Sequence, residues 1–239
     1  MHVRLLQTAL SVSVLISTCL IGAGVRAEDD ARLAIPDEDA QRQLQAQVRD
    51  VYREYYANRD TTGRAALAAR LLSDGQAAQG KPAERYVLLD TARDVAMNAG
   101  QYRTALRAID GLADDFNVDA WTLRADAMVA LAKSIDDDDA DSLAEETDDL
   151  IDEALEEGEV DAAKRLVTVM RVAARASKDR DLIKGAIEAG QKVRTAEKIV
   201  ADAAEAMNRL EADPTDGQAN LTVGRYHILI QNDWLKGIP

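Results

Sequence analysis

The stretch GQYRTALRAIDGLADD, residues 100–115, carries the strongest indication of the fold. Its apolar side chains recur at spacings of three and four, at Tyr102, Ala105, Leu106, Ile109 and Leu112. Side chains at these spacings share one face of an α-helix, and that face packs against a neighbouring element. Gly100 suits the left-handed conformation in which many helices end. The stretch therefore predicts a turn between two packed helices, followed by an amphipathic helix.

The same turn recurs at residues 158–163, which read GEVDAA. In both stretches an apolar residue lies two positions after the glycine, at Tyr102 and at Val160, where it packs back into the hairpin. A small residue lies five positions after it, at Ala105 and at Ala163, and allows the second helix to approach the first closely. Two such turns predict an array of antiparallel helical hairpins.

These residues resemble the Gly-x-Tyr-x-x-Ala elbow of tetratricopeptide (TPR) repeats. The segment that begins at Asp213-Pro214 and ends at Asp233-Trp234 also looks like a TPR hairpin. The resemblance implies an all-α, TPR-like α-solenoid of antiparallel hairpins. The two glycine elbows are 58 residues apart, which is not a multiple of the 34-residue TPR period. We therefore expect an irregular array.

A broader resemblance is carried by residues 33–37, residues 86–89 and residues 220–226, which read LAIPD, YVLL and NLTVGRY. They are similar to the helical N-terminal region of a largely uncharacterised family of exported bacterial proteins. In that family the helical region often precedes a variable C-terminal module. The resemblance thus leaves open that the chain is a helical spacer of a larger protein.

Composition supports helix over nearly the whole of residues 37–239. Aromatic residues make up 4% of the chain and there are 4 prolines, while Ala, Leu, Arg and Glu, which favour helices, are abundant. The pattern predicts about nine helices joined by short connections. Residues 181–212 fit either one long helix or a kinked pair. The last helix, 215–231, lacks a partner helix and is expected to expose apolar surface.

The N-terminus predicts export. A basic start, an apolar run and small residues before Ala27 indicate a signal peptide over residues 1–27, and residues 28–36 form a short extended lead-in. The predicted location is the periplasm, the cell envelope or the exterior of a bacterium. The alternative is an uncleaved anchor, because the apolar run approaches the length of a membrane helix. The one cysteine, Cys19, lies within this segment.

The charge balance argues against anionic partners such as nucleic acid or lipid surfaces. The net charge of the chain is −14. Cleavage after Ala27 removes two arginines and no acidic residue, which leaves 27 basic and 43 acidic side chains. Because nucleic-acid affinity comes largely from Lys and Arg neutralising phosphates, we expect no nucleic-acid binding, and no membrane insertion after cleavage.

No residue pattern predicts a catalytic centre, a cofactor or a metal site. The acidic run Asp136–Asp141 has calcium-loop spacing if Asp148 is the twelfth position, but Ser142 replaces the required glycine. A solvated linker is the alternative interpretation. His227 is the only histidine after the signal peptide, and a lone histidine on an apolar helix usually packs against its neighbours.

Partner binding is predicted on the first helix of each hairpin, which lines the concave face of helical repeats. The register set by Gly100 places Asp90 and Asp94 on that face of one helix, and Trp121 and Arg124 on the corresponding face of another. Trp and Arg are enriched at binding hot spots. Alternatively, Trp121 staples the start of its helix to a neighbour.

The sequence therefore predicts a non-catalytic, exported scaffold or adaptor that binds a protein or peptide, without a cofactor. Self-association through residues 215–231 is a second expected contact. The main alternative is an α-solenoid enzyme acting on cell-envelope polymers, which would need a buried Glu or Asp in an enclosed cleft.

Overall fold

The computed structural model describes residues 32–133, 135 and 137–238. This part of the chain is 80% helical and contains no β-strand, which confirms the predicted all-α class. The described residues form nine helices of at least 13 residues and two short ones. They are α1 (Glu38–Val51), α2 (Arg53–Ala57), α3 (Thr61–Ala77), α4 (Pro82–Asn98), α5 (Tyr102–Asp115), α6 (Ala120–Ala132), α7 (Ala140–Glu156), α8 (Val160–Ser177), α9 (Arg180–Ala212), α10 (Gly217–Leu229) and α11 (Trp234–Gly237).

Aspartate begins many of these helices. In six of them the carboxylate of the residue before the helix accepts a backbone N–H of the first turn, at Asp37, Asp60, Asp119, Asp179, Asp216 and Asp233. Each such cap stabilises a helix by about 0.5–2 kcal/mol, because it satisfies a donor that the helix itself leaves free. Part of the acidic surplus therefore serves to start helices.

Both predicted glycine elbows are confirmed. Gly100 has φ 72° and Gly158 has φ 82°, and the two turns make the same hydrogen bonds. Gly100 N–H donates to Met97 O, and the next N–H donates to Ala96 O. Gly158 N–H donates to Leu155 O, and the Glu159 N–H donates to Ala154 O. This paired arrangement satisfies carbonyls at the helix end and reverses the chain into α5 and α8.

Replacing Gly158 by alanine is expected to destabilise the protein more than replacing Gly100. Both positions need a positive φ, which costs a non-glycine residue about 1 kcal/mol or more. A Cβ at Gly158 would also lie 2.7 Å from the Ile230 carbonyl oxygen, whereas a Cβ at Gly100 would meet nothing within 4 Å. Urea unfolding of Gly158→Ala and Gly100→Ala measures the difference. Equal losses would show that the approach of Ile230 is not maintained in solution.

Helices pack mainly against their neighbours in sequence. Successive helices are in contact from α1 to α6 and again from α7 to α11, and contacts between next-but-one helices join α3 to α5, α4 to α6, α6 to α8 and α7 to α9. Their apolar faces form two main cores. One lies among α1, α3, α4 and α5 around Leu71, Leu89 and Phe116. The other lies among α5 to α9 around Met128, Leu166 and Met170.

The structure of the C-terminal third answers two questions that the sequence left open: whether residues 181–212 form one helix, and whether the helix after them exposes apolar surface. Residues 180–212 form one continuous helix of 33 residues, which is about 50 Å long at 1.5 Å per residue. Helix α10 spans Gly217–Leu229 and is followed by the four-residue α11. Of the apolar side chains in residues 215–231, Leu221 and Leu229 are exposed, as expected, whereas Ile230 is buried. Trp234, Leu235 and Ile238, beyond that range, are exposed as well.

Within the described residues, no helix combines the length and the apolar character needed to cross a bilayer. The predicted signal peptide, residues 1–27, and its alternative as a membrane anchor lie outside the described residues.

Candidate functional site

A solvent-open cavity of about 660 Å³ lies where the α1–α2 segment meets the start of α3 and the end of α4. Its volume falls within the range of about 300–1,000 Å³ that is usual for ligand sites. The lining residues share a basic, aromatic or amide character, with two aliphatic side chains among them: Arg49, Arg53, Tyr55, Tyr56, Asn58, Arg59, Arg64, Leu67, Val95 and Asn98. We call this the arginine cavity.

The charge of the arginine cavity contrasts with that of the chain. Four arginines and no carboxylate line it, although acidic side chains outnumber basic ones in the whole protein. Arg53 forms an ion pair with Asp50. The guanidinium groups of Arg49, Arg59 and Arg64 make no ion pair or hydrogen bond with any residue that the structure describes. Three cations thus face the same solvent-filled space without a counterion among the described residues.

The junction between α1 and α2 is held to α3 by a buried tyrosine. Tyr52 lies between the two helices, and its hydroxyl donates to Asp74 Oδ2 at 2.5 Å. Arg70 Nε donates to the same oxygen at 2.7 Å. Because Asp74 and Arg70 belong to α3, these bonds orient α2, which carries Arg53, Tyr55 and Tyr56 into the cavity wall.

The turn from α2 to α3 depends on a close approach. Asp60 caps α3 by accepting the Gly63 N–H at 2.6 Å. A Cβ at Gly63 would lie 2.5 Å from Asn58 Cγ, so the Asn58 side chain rests directly on the first turn of α3. This contact fixes the loop that carries Arg59 beside the α3 residue Arg64.

Two tyrosines form the aromatic part of the wall. Tyr55 is 43% exposed, and its ring centroid is 6.3 Å from that of Tyr52. Tyr56 is half-buried. Burial raises the pKa of the Tyr56 phenol, and the positive charge of Arg49 opposes this increase. The Tyr56 phenol is therefore a neutral group beside the arginines near neutral pH.

The Tyr52 contact predicts a loss of stability at alkaline pH. Burial and then the hydrogen bond to Asp74 raise the pKa of Tyr52 to about 12, from 10.0. Because the folded state holds this proton more tightly than the unfolded chain, its stabilising contribution is present below pH 10 and is lost between pH 10 and about 12. Urea unfolding between pH 9 and 12 should show a shallower decline for Tyr52→Phe than for the wild type. Tyr55→Phe serves as the control, and an unchanged slope in Tyr52→Phe would contradict the assignment.

The residues predicted to bind a partner form two separate pairs. Asp90 and Asp94 both lie on α4, and Arg93 binds both carboxylates at 2.9 Å. Burial raises the pKa of Asp90, an effect that Arg93 opposes. The Asp90 side chain is mostly buried, whereas that of Asp94 is exposed. An intrachain cation thus already pairs with both carboxylates.

Trp121 and Arg124 form the second pair, on α6. The indole is buried, its Nε1 donates to Glu157 Oε2 at 2.8 Å, and the Arg124 guanidinium carbon lies 4.6 Å from the ring centroid. Arg124 also pairs with Asp110 at 2.8 Å. This placement matches the stapling interpretation of Trp121, since the indole links α6 to the end of α7. Arg124 also lines a smaller groove between α5 and α7.

The other candidate groups show no shared site within the described residues. Asp137 pairs with Lys178 at 2.8 Å, and no group of three or more potential metal ligands occurs among the described side chains. Asp136 lies outside the described residues. His227 Nδ1 lies 2.7 Å from Gln231 Oε1, on the same helical end.

Sequence reasoning assigned no role to the arginine cavity, although a signal was present. Three of the six tyrosines lie between residues 52 and 56, and four arginines lie between residues 49 and 64. Asp50, Glu54 and Asp60 alternate with them and hide the cationic character in the linear sequence. Only the fold separates these carboxylates from the cavity wall.

Comparison with protein-family models, with curated proteins and with solved structures found no match. The resemblance to TPR repeats therefore depends on the two glycine elbows and on the hairpins that they join.

Proposed function

We propose that the protein is an exported helical scaffold or adaptor that binds a protein or peptide partner and has no catalytic role of its own. In this proposal the helices form an irregular TPR-like stack of antiparallel hairpins. The observation that carries the proposal is the arginine cavity, in which three guanidinium groups have no counterion among the described residues. A ligand would supply the missing negative charge.

The chemistry of the cavity supports binding rather than catalysis. Arginine remains protonated at physiological pH and cannot exchange a proton with a substrate. Hydrolysis of glycosidic bonds in envelope polymers by the usual route needs a pair of carboxyl groups, and no carboxylate among the described residues lines this cavity. Asp90, the buried carboxyl group of α4, is not among the lining residues and is held by Arg93. The enzyme alternative therefore finds no support at this site.

The hairpin arrangement also supports a scaffold. Two elbows with identical hydrogen bonds, together with contacts between next-but-one helices, resemble the way in which repeat proteins stack. Such stacks present grooves between successive helices, and the arginine cavity lies between α1–α2, α3 and α4 in this way.

Cross-linking in the native cell envelope, followed by affinity purification, tests the proposal. The wild type and the control Arg225→Gln should recover the same partner, while Arg59→Gln/Arg64→Gln should lose it. Arg225 is exposed on α10 and also lacks an ion pair with any described residue, and α10 packs mainly against α9 and α11. N-terminal sequencing should find Glu28 as the first residue of the mature protein. Recovery of no partner by the wild type, or cleavage of envelope polymers by the purified protein, would overturn the proposal.

A further inference from the structure

We infer that the arginine cavity binds an acidic peptide segment with at least two neighbouring carboxylates and an apolar side chain beside them. This inference rests on the proposed function, and it adds the site and the chemical class of the ligand.

The cavity carries positive charge that no described residue compensates. Arg49, Arg59 and Arg64 come from α1, from the α2–α3 loop and from α3, and all three face the cavity. Like charges that share a cavity repel each other, and an anionic ligand relieves this repulsion as it binds. Three cations without partners match a ligand with two or more negative charges. The overall acidic charge does not cancel this attraction, since fields are screened beyond about 8 Å at physiological ionic strength.

The shape of the arginine guanidinium groups suits a carboxylate ligand. A guanidinium group is a planar fork that matches the two oxygens of a carboxylate, and such charge-assisted bonds are about twice as strong as neutral ones. Phosphate offers the same match, so the arginines alone do not separate the two anions. The uncharged residues that line the cavity distinguish a carboxylate ligand from phosphate.

Two asparagines of the cavity wall, Asn58 and Asn98, have carboxamide groups that can bond to a peptide backbone. Asn98 Nδ2 donates to the Asp94 carbonyl oxygen at 2.8 Å, which leaves the Asn98 carboxamide oxygen as an acceptor. The Asn58 carboxamide makes no hydrogen bond with a described residue. A peptide backbone offers both N–H donors and C=O acceptors to such groups, whereas a fully ionised phosphate offers acceptors only. The mixture of donors and acceptors therefore favours a peptide.

The cavity wall also has apolar and aromatic surface between the arginines. Val95 is partly exposed at the wall contributed by α4, and Tyr55 exposes part of its ring, while Leu67 of α3 is already buried behind them. A free phosphate would leave this surface uncovered. A side chain such as leucine or tyrosine beside the carboxylates would cover it and gain the free energy of apolar burial.

Fluorescence anisotropy with short labelled peptides tests the inference. The probe is a hexapeptide of four glutamates and two leucines, and its matched control replaces each glutamate by glutamine. We expect the acidic peptide to bind the full chain and the glutamine peptide to bind at least tenfold more weakly. Binding of the acidic peptide should weaken as NaCl is raised from 50 to 500 mM.

The variants locate the binding. Arg59→Gln/Arg64→Gln and, separately, Arg49→Gln should each weaken binding of the acidic peptide at least tenfold, while Arg225→Gln should leave it unchanged. Thermal unfolding without ligand controls for folding. The double variant should be at least as stable as the wild type, because it removes repulsion between like charges.

Three outcomes overturn the inference and separate it from the proposed function. If inorganic phosphate displaces the acidic peptide and binds as tightly, the cavity is a phosphate site. If the peptide binds equally to the wild type and to the arginine variants, the site lies elsewhere. If the envelope partner is recovered but no acidic peptide binds, the ligand class is wrong and the scaffold proposal stands. Failure of both experiments rejects both statements.

Discussion

Replacing Phe116 by alanine is expected to lower the free energy of unfolding by about 3–5 kcal/mol, the usual loss for a fully buried phenylalanine. Phe116 follows α5 and has no solvent exposure. Its ring meets that of Tyr86 edge to face, with centroids 5.1 Å apart. The loss combines removal of apolar surface from the core with the cavity that remains, because the helices around the ring relax only in part. Urea unfolding followed by circular dichroism measures it.

The Phe116 prediction has an internal control. Leu235 is also a large apolar residue, but it is 93% exposed, so Leu235→Ala should change stability by no more than about 0.5 kcal/mol. The backbone position of Leu33 should also change in Phe116→Ala. Leu33 forms backbone hydrogen bonds with Asp115 and Asn117, on either side of Phe116. A loss below about 1 kcal/mol in Phe116→Ala would show that this core is not formed as described.

Replacing Trp121 by alanine is expected to cost about 3–5 kcal/mol of stability. The indole is 6% exposed, its N–H donates to Glu157, and the Arg124 guanidinium lies over its face. Trp121→Phe keeps most of the apolar contact and loses the hydrogen bond, and Glu157 is exposed enough for water to replace the indole. We expect a loss of about 1–2 kcal/mol for this variant. Thermal and urea unfolding of both variants measure these losses.

The same variants separate the two interpretations of Trp121. A structural role predicts that Trp121→Ala loses stability while Trp121→Phe retains partner binding. A binding role predicts a loss of partner recovery in both variants with little change in stability. Arg124→Ala provides a companion measurement, because it removes a cation–π contact worth about 0.5–1 kcal/mol without opening a large cavity.

The position of the arginine cavity gives the protein a local charge opposite to its overall charge. Aspartates cap six helices, and others pair with lysine and arginine along the helix surfaces. Such pairs at exposed positions contribute little stability each. They occupy many of the basic side chains outside the cavity, although Arg225, for example, has no ion pair with a described residue. What distinguishes Arg49, Arg59 and Arg64 is that all three line one cavity.

The local rules of helix formation explain what could be predicted. Helical class, the two elbows and the apolar stripe of α5 follow from spacings and from glycine chemistry, which act within a few residues. The exposure of Leu221 and Leu229 on α10 was also expected. Whether residues 180–212 bend could not be predicted, because two glycines weaken the helix locally and packing against α8 decides the outcome.

The sequence by itself determined that this chain is helical, where its elbows lie and which sign its net charge has, because these depend on neighbours along the chain or on composition alone. Only the tertiary structure decided which arginines form no ion pair with the described part of the chain, and where Trp121 lies. Arg49, Arg59 and Arg64 alternate with acidic residues in sequence, and packing of α1 and α2 against α3 and α4 turns the three cations toward one space. Trp121 is buried in a core shared with other helices, and its indole donates to Glu157, 36 residues away. Contacts over that distance follow from how helices pack, and a spacing pattern within one helix does not contain them.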